Sequence, residues 1–137
     1  MTSAPRLKVG LIGAGRVGTA LARRLQASEH PIVMASATSD QSVARSQRWL
    51  PATDLAAIPD VVAAAELLLI AIPDDALASV VSGIAQTVGF RPGQFVVHTS
   101  GRYGLEVLEP ALAQGAIAIA LHPAMTFAGA ASDFDRL

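Results

Sequence analysis

Two kinds of residue in this sequence are suited to chemistry: glycines at fixed spacing, and a few polar side chains next to glycine or proline. The glycines belong to the stretch Gly13-Ala14-Gly15-Arg16-Val17-Gly18. In a G-x-G-x-x-G pattern the first glycine permits a tight turn and the second lets the backbone approach a ligand. The third lets a helix pack closely on a strand. The pattern is informative only where a strand precedes it and a helix follows. In that setting backbone N–H groups and the positive end of the helix dipole converge on one point, which suits a pyrophosphate. The polar residues are in His98-Thr99-Ser100-Gly101 and His122-Pro123. A serine hydroxyl can hold a substrate carboxylate or carbonyl, and an imidazole can bond a substrate or act as an acid. Ser100 and His122 are therefore candidate catalytic residues, with His98 a third. The plainer alternatives are a turn serine for Ser100 and a satisfied core histidine for His98, which lies just inside its strand.

A dinucleotide bound at the glycine turn would reach two further segments. About 20 residues beyond such a turn, an acidic residue usually binds the ribose hydroxyls of NAD. Counting from Gly18 arrives at Thr38, within Ser36-Ala37-Thr38-Ser39-Asp40. The hydroxyls of Thr38 and Ser39 can donate to a 2′-phosphate, and Arg45 can add charge. NADP is accordingly the expected cofactor, with NAD the alternative. Asp40 could hold a ribose instead, or cap the next helix. The second segment is Ile72-Pro73-Asp74-Asp75. Pro73 ends a strand where a nicotinamide ribose would lie, while Asp74 or Asp75 either caps the following helix or contacts the cofactor.

These candidates need a frame that brings them together. Lys8–Ile12 reads as a buried strand, and Val17–Gln26 as an amphipathic helix through Val17, Ala20, Leu21 and Leu25. A strand over Ile32–Ala35, a helix over Gln41–Trp49, a very short strand near Ala52 and a helix over Asp60–Glu66 follow. Leu67–Ile72 is the strongest strand, ended by Pro73, and Ala76–Val88 the next helix. Gln94–His98 is a strand, Leu105–Gln114 a helix kinked or split at Pro110, and Ala116–Leu121 the last strand. Strands alternating with helices predict an α/β Rossmann fold, with a doubly wound, mainly parallel sheet in three layers. Ligands of such sheets bind outside the carboxyl ends of the strands. The glycine turn, Ile72–Asp75, His98–Gly101 and His122–Met125 should meet at that edge.

Composition removes several function classes. The 137 residues are expected to make one domain, 1–137, with 52% hydrophobic and only 15% charged residues. There is no cysteine, which excludes a disulfide framework, a thiolate metal site and a cysteine nucleophile. No histidine or carboxylate spacing suggests a metal. Net charge is −1, and the charges are scattered along the chain without the basic stripe of a nucleic-acid binder. No apolar run approaches the roughly 20 residues of a membrane span. The first residues do not resemble a signal peptide, so a cytoplasmic location is expected. Lys8 is the sole lysine and precedes the first strand, on the wrong edge for a catalytic lysine.

Taken in order, Gly13–Gly18, Pro73-Asp74-Asp75-Ala76, Val97-His98-Thr99-Ser100-Gly101 and Leu121-His122-Pro123-Ala124-Met125-Thr126-Phe127 resemble one family. It is the bacterial Rossmann-like plus DUF2520 group of NADP-dependent oxidoreductases. That group is similar to pyrroline-5-carboxylate reductase, to 6-phosphogluconate and 3-hydroxyacid dehydrogenases, and more distantly to ketopantoate reductases. The resemblance implies cofactor contacts at Gly13, Gly15, Arg16, Val17, Pro73 and Asp74. It implies a substrate-side role for Ser100, and for His98 and His122 beside it. It also implies a helical C-terminal domain that closes the site and makes the dimer, and this chain does not contain one. The expected function is hydride transfer between NADP(H) and a small oxo-acid, hydroxy-acid or imine. The alternative is a non-catalytic dinucleotide-binding or redox-sensing module. A methyl-donor site is disfavoured, because the full glycine pattern suits a pyrophosphate. Self-association through an exposed docking face is a further expectation.

Overall fold

Parallel strands covered by helices on both faces are apolar throughout rather than alternating. Strand β1 (Val9–Ile12) is of this kind, with all four residues buried. A computed structural model describes residues 6–121 and continues from β1 through a regular alternation. The elements are α1 (Arg16–Ala27), β2 (Ile32–Ser36), α2 (Asp40–Trp49), β3 (Asp54–Leu55), α3 (Ile58–Ala64) and β4 (Leu67–Ile70). They continue with α4 (Asp74–Gln86), β5 (Phe95–His98), a 3₁₀ turn (Leu105–Leu108), α5 (Glu109–Leu112) and β6 (Ile117–Ala120).

The six strands lie in the order β3-β2-β1-β4-β5-β6, and every pairing is parallel. Strand order therefore reverses between β1 and β4, which places the ligand crevice of a doubly wound sheet there. Two apolar cores make the three layers. Val9, Leu11, Leu69 and Val97 face α1 and pack with Ala22 and Leu50. Ile12, Leu68, Ile70 and Val96 face the other way, onto Val61, Leu77, Val81 and Leu108 of the α3–α5 side. Successive strand residues thus serve opposite cores. Truncating a fully buried residue such as Leu69 would cost about 2–5 kcal/mol.

The boundaries expected from the sequence hold within two residues; β4 ends at Ile70 and not at Ile72, and several helices start early. α2 is capped by Ser39 and not by Asp40: Ser39 Oγ accepts from the Ser42 N–H, and the Ser42 hydroxyl answers the Ser39 N–H. The capping box outcompetes the carboxylate because it satisfies two donors at once. α4 starts at Asp74 and not at Ala76, with Pro73 at its N-cap and no side-chain cap bond. Neither Asp74 nor Asp75 is the cap; both lie in the first turn, where a carboxylate favours the positive helix end. α3 starts two residues early, with Pro59 in its first turn, where a missing N–H is harmless. Around Pro110 the chain splits into the 3₁₀ turn and α5, because proline cannot continue the preceding helical bonding.

Candidate nucleotide-binding site at the carboxyl edge

Strand register aligns Ser36, Ile12, Ile70, His98 and Ala120 in one row across the sheet. The turns that follow these residues therefore leave from a common edge. They include the glycine turn, Ala37–Ser39, Ala71–Pro73 and Thr99–Gly101. His122 lies outside the described residues, although Leu121 reaches the same edge through its N–H on the His98 carbonyl (2.9 Å).

Each glycine of the turn meets a different constraint. Gly13 has φ +93°, a region that side chains strain, and a Cβ there would run into the Ala71 carbonyl. Its N–H is directed at Ser36, at 3.3 Å from both the carbonyl and Oγ, which ties the turn to the end of β2. A Cβ at Gly18 would lie 2.5 Å from the Gly13 carbonyl and 2.9 Å from the Ala71 Cβ, so only hydrogen lets α1 approach β1 and β4 this closely. A Cβ at Gly15 would meet nothing within 4 Å. The packing of the fold does not require that glycine.

The helix N-termini show how that space differs from the rest of the molecule. Carboxylates occupy the first turns of α2 (Asp40), α3 (Asp60), α4 (Asp74, Asp75), the 3₁₀ turn (Glu106) and α5 (Glu109). α1 has no carboxylate in its first turn and no side-chain cap, and its N-cap is Gly15 itself. The opening N–H groups of a helix lack intrahelical partners, and here no side chain among the described residues caps them. A positive helix end of this kind is suited to an external anion. Charges that look scattered along the chain are segregated in space. α1 and α2 together carry five arginines and one aspartate, while the helices on the opposite layer carry carboxylates and no cation. The glycine turn opens from the positive layer.

A groove of about 390 Å³ runs from this turn across the switch point. It gathers Gly13, Ala14, Gly15, Thr38, Ser39, Ile72 and Pro73 from the residues expected to hold a cofactor. Ser36, Ser42, Ile58, Ala76 and Val80 also line it and were not anticipated. Ser42 could have been found from its spacing to Ser39. Ile58 and Val80 carry no local signal, because they reach the groove only through the packing of α3 and α4. Arg16, Val17, Gly18, Arg45 and Asp74 are not on its wall. Gly18 is buried beneath the turn, and Asp74 is in the first turn of α4. Arg16 and Arg45 line a neighbouring groove between α1 and α2, where Arg45 Nη1 donates to the Ala14 carbonyl (3.2 Å).

The turn after β5 is arranged differently. His98 is 0% exposed. Its Nδ1 accepts from the Ser100 N–H (3.0 Å), so the proton resides on Nε2, which donates to the Gly104 carbonyl (2.6 Å). Ser100 is 5% exposed, and its Oγ accepts from the N–H groups of Arg102 (3.1 Å) and Tyr103 (3.3 Å). Gly104 in turn donates to Glu106 Oε1 (2.9 Å), which holds the Glu106 carboxyl below its ordinary value. Both candidates thus brace one turn from within. Among the described residues no cluster of three histidines or carboxylates could hold a metal, and no helix is long and apolar enough to cross a membrane.

The sequence profile of the Rossmann-like domain matches residues 2–123. The chain belongs to this family. No curated protein matches the sequence significantly. Solved structures resemble this Rossmann-like domain clearly. One is a Bacteroides fragilis protein assigned as an NADP oxidoreductase, at 23% identity and TM-score 0.69, covering 94% of this chain and 53% of that one. Another, assigned as an oxidoreductase, is from Mycobacterium avium 104, at 25% identity and TM-score 0.65, covering 83% and 41%. A third is an imine reductase from Pseudomonas sp., at 19% identity and TM-score 0.65, covering 85% and 41%. The chain therefore spans about half or less of the length of these proteins.

Proposed function

We propose that this chain is the nucleotide-binding part of an oxidoreductase that uses NADP, with a small oxo-acid, hydroxy-acid or imine as substrate. The observation that carries the reading is the first turn of α1, without a side-chain cap and free of carboxylates, with open space where a Cβ at Gly15 would stand. That is the donor set a pyrophosphate requires. The adenosine side of the cofactor would lie in the groove between Thr38 and the apolar residues Ile58 and Val80. Strand β2 ends in Ser36 and not in an acid, so the carboxylate that usually selects NAD is missing from its place. Exposed Thr38 and Ser39 supply hydroxyls for a 2′-phosphate. Arg45 is held beside the turn by its bond to Ala14, and a guanidinium has further donors to offer. The name of the Bacteroides fragilis relative supports the same cofactor.

The bound nicotinamide would supply hydride chemistry, and the protein would supply alignment and polarity. Pro73 and Ile72 would border the nicotinamide ribose. Ser100 Oγ accepts in its bonds to Arg102 and Tyr103, so its hydroxyl proton can be given to a substrate oxygen. His98 would act as a positioning residue, since it holds the Ser100 backbone. His122 would hydrogen-bond or protonate the substrate from the end of β6. The partner in this reading is a small molecule, in a cytoplasmic protein whose dimer forms through a docking face.

The inward-turned His98–Ser100 segment favours a second reading, a dinucleotide-binding module without chemistry of its own. Fluorescence titration of the chain with NADPH and NADH tests the shared claim and the cofactor preference. Binding of neither removes the proposal, and equal or tighter NADH removes the preference for NADP. NADPH oxidation on addition of oxo-acids or imines separates enzyme from module.

A further inference from the structure

The glycine turn is held from outside itself at two points, and both anchors come from the segment that runs from β2 into α2. The Gly13 N–H is directed at Ser36, the last residue of β2. The next carbonyl, of Ala14, accepts from Arg45 Nη1 at 3.2 Å. Ala14 is fully buried, so this carbonyl depends on a protein donor. Arg45 is half-buried in the middle of α2. That helix is fixed at its start by the Ser39–Ser42 capping box. At its close the Trp49 carbonyl accepts from Arg23 Nη1 of α1 (3.2 Å). A guanidinium mounted on such a helix is a firm prop, and a charged donor makes the stronger bond.

We propose that Arg45 is a positioning residue for the phosphate cradle, setting the orientation of the Ala14–Gly15 peptide. The proposal rests on the reading of the turn as a pyrophosphate site. A trans peptide unit is planar, so its carbonyl and its N–H point in opposite directions. Drawing the Ala14 carbonyl toward α2 therefore turns the Gly15 N–H away from α2, at the open end of α1. Glycine makes the prop necessary. With no Cβ at Gly15, the peptide before it can rotate through φ values closed to other residues. Rotated by half a turn, it would put a carbonyl oxygen where the Gly15 N–H now stands, and an anion would be repelled.

Arg48, one turn further along α2, is a matched control, because it carries the same charge and stacks on the Trp49 ring (4.8 Å to its centre). Arg45→Met and Arg48→Met each remove one charge, and only the first removes the prop. NADH is the probe, since it lacks the 2′-phosphate that Arg45 would also meet. In fluorescence titration Arg45→Met should weaken NADH binding about tenfold, with the melting temperature little changed. Arg48→Met should weaken it by less than about twofold, since an exposed charge is screened by salt. In the nucleotide-free chain the Gly15 amide nitrogen resonance should move in Arg45→Met and stay in Arg48→Met. That nitrogen shares a peptide unit with the Ala14 carbonyl and senses its bonding. Unchanged NADH affinity in Arg45→Met, equal losses in the two variants, or an unmoved Gly15 resonance would overturn the proposal and leave the reading of the turn standing. A loss confined to NADPH would overturn it too, and make Arg45 a ligand of the 2′-phosphate alone. A native chain that binds neither NADH nor NADPH would remove that reading and the proposal with it. Should Arg45→Met fail to fold, Arg45→Gln gives the same comparison, its amide being two atoms short of the carbonyl.

Discussion

The turns after β1 and β5 leave the same edge of one sheet, yet they handle their polar groups in opposite ways. After β1 the chain withholds side chains: Gly15 is the N-cap of α1, no carboxylate enters the first turn, and no described residue comes within 4 Å of where a Gly15 Cβ would stand. After β5 the chain spends them, with His98 and Ser100 bonding the N–H groups and carbonyl of residues 100–104. A helix end left unsatisfied costs stability unless water or a ligand answers it. A turn braced by buried side chains gains order and gives up freedom to reorganise. The difference separates an open helix end, suited to an anion, from a turn held in shape by its own side chains.

Substitutions can break this comparison, and the largest effect should come from the closed turn. His98→Leu would leave the buried Ser100 N–H and the part-buried Gly104 carbonyl without the partner they have in His98. It should lower unfolding free energy by about 3 kcal/mol in urea denaturation. A loss below about 1 kcal/mol would show that His98 is not a brace. Gly15→Val should do the reverse, weakening NADPH binding by about 100-fold, or roughly 2.7 kcal/mol, with the melting temperature little changed. Comparable loss of stability at Gly15 would erase the distinction between the two turns.

Smaller effects sharpen the contrast. Ser39→Ala removes the cap of α2 and should cost about 1 kcal/mol of stability. It should also lower the ratio of NADPH to NADH affinity in paired titrations, whereas an unchanged ratio would confine Ser39 to capping. The mildest change concerns Glu106, whose carboxyl is held below its ordinary value chiefly by the Gly104 N–H. A lowered folded-state value stabilises above the unfolded value and is lost as pH falls through the folded one. The melting-temperature advantage of the native chain over Glu106→Gln should therefore be present at neutral pH and fade in acid. A difference constant with pH would mean that the carboxylate does not brace the turn.

Legibility in the sequence follows the range of the interactions. The glycine turn was readable because its spacing between a strand and a helix is a local pattern, although Gly13 and Gly18 are also held to glycine by Ala71, which is remote in sequence. Strand β4 was readable from its leucines, although it stops at Ile70 and not at Ile72. The start of α4 was misjudged because Pro73 caps the helix without a side-chain bond, which leaves no polar cap to find. Ser36 and Thr38 differ by only two places, but strand register decides that Ser36 ends β2. Ile58 and Val80 enter the groove from helices remote in sequence, and no local pattern marks them.

By itself the sequence determined the alternation of strands and helices, the carboxyl edge as the meeting place, and the glycine turn between the first strand and the first helix. Those features depend on hydrophobic period and on residues without side chains, both of which are local. Only the tertiary structure decided that His98 is sealed with both ring nitrogens engaged and that Ser100 accepts from its own turn. It also decided that the arginines gather on the layer from which the glycine turn opens. Burial, partners and the summed field of distant charges are set by how elements pack, and neighbouring residues along the chain do not encode them.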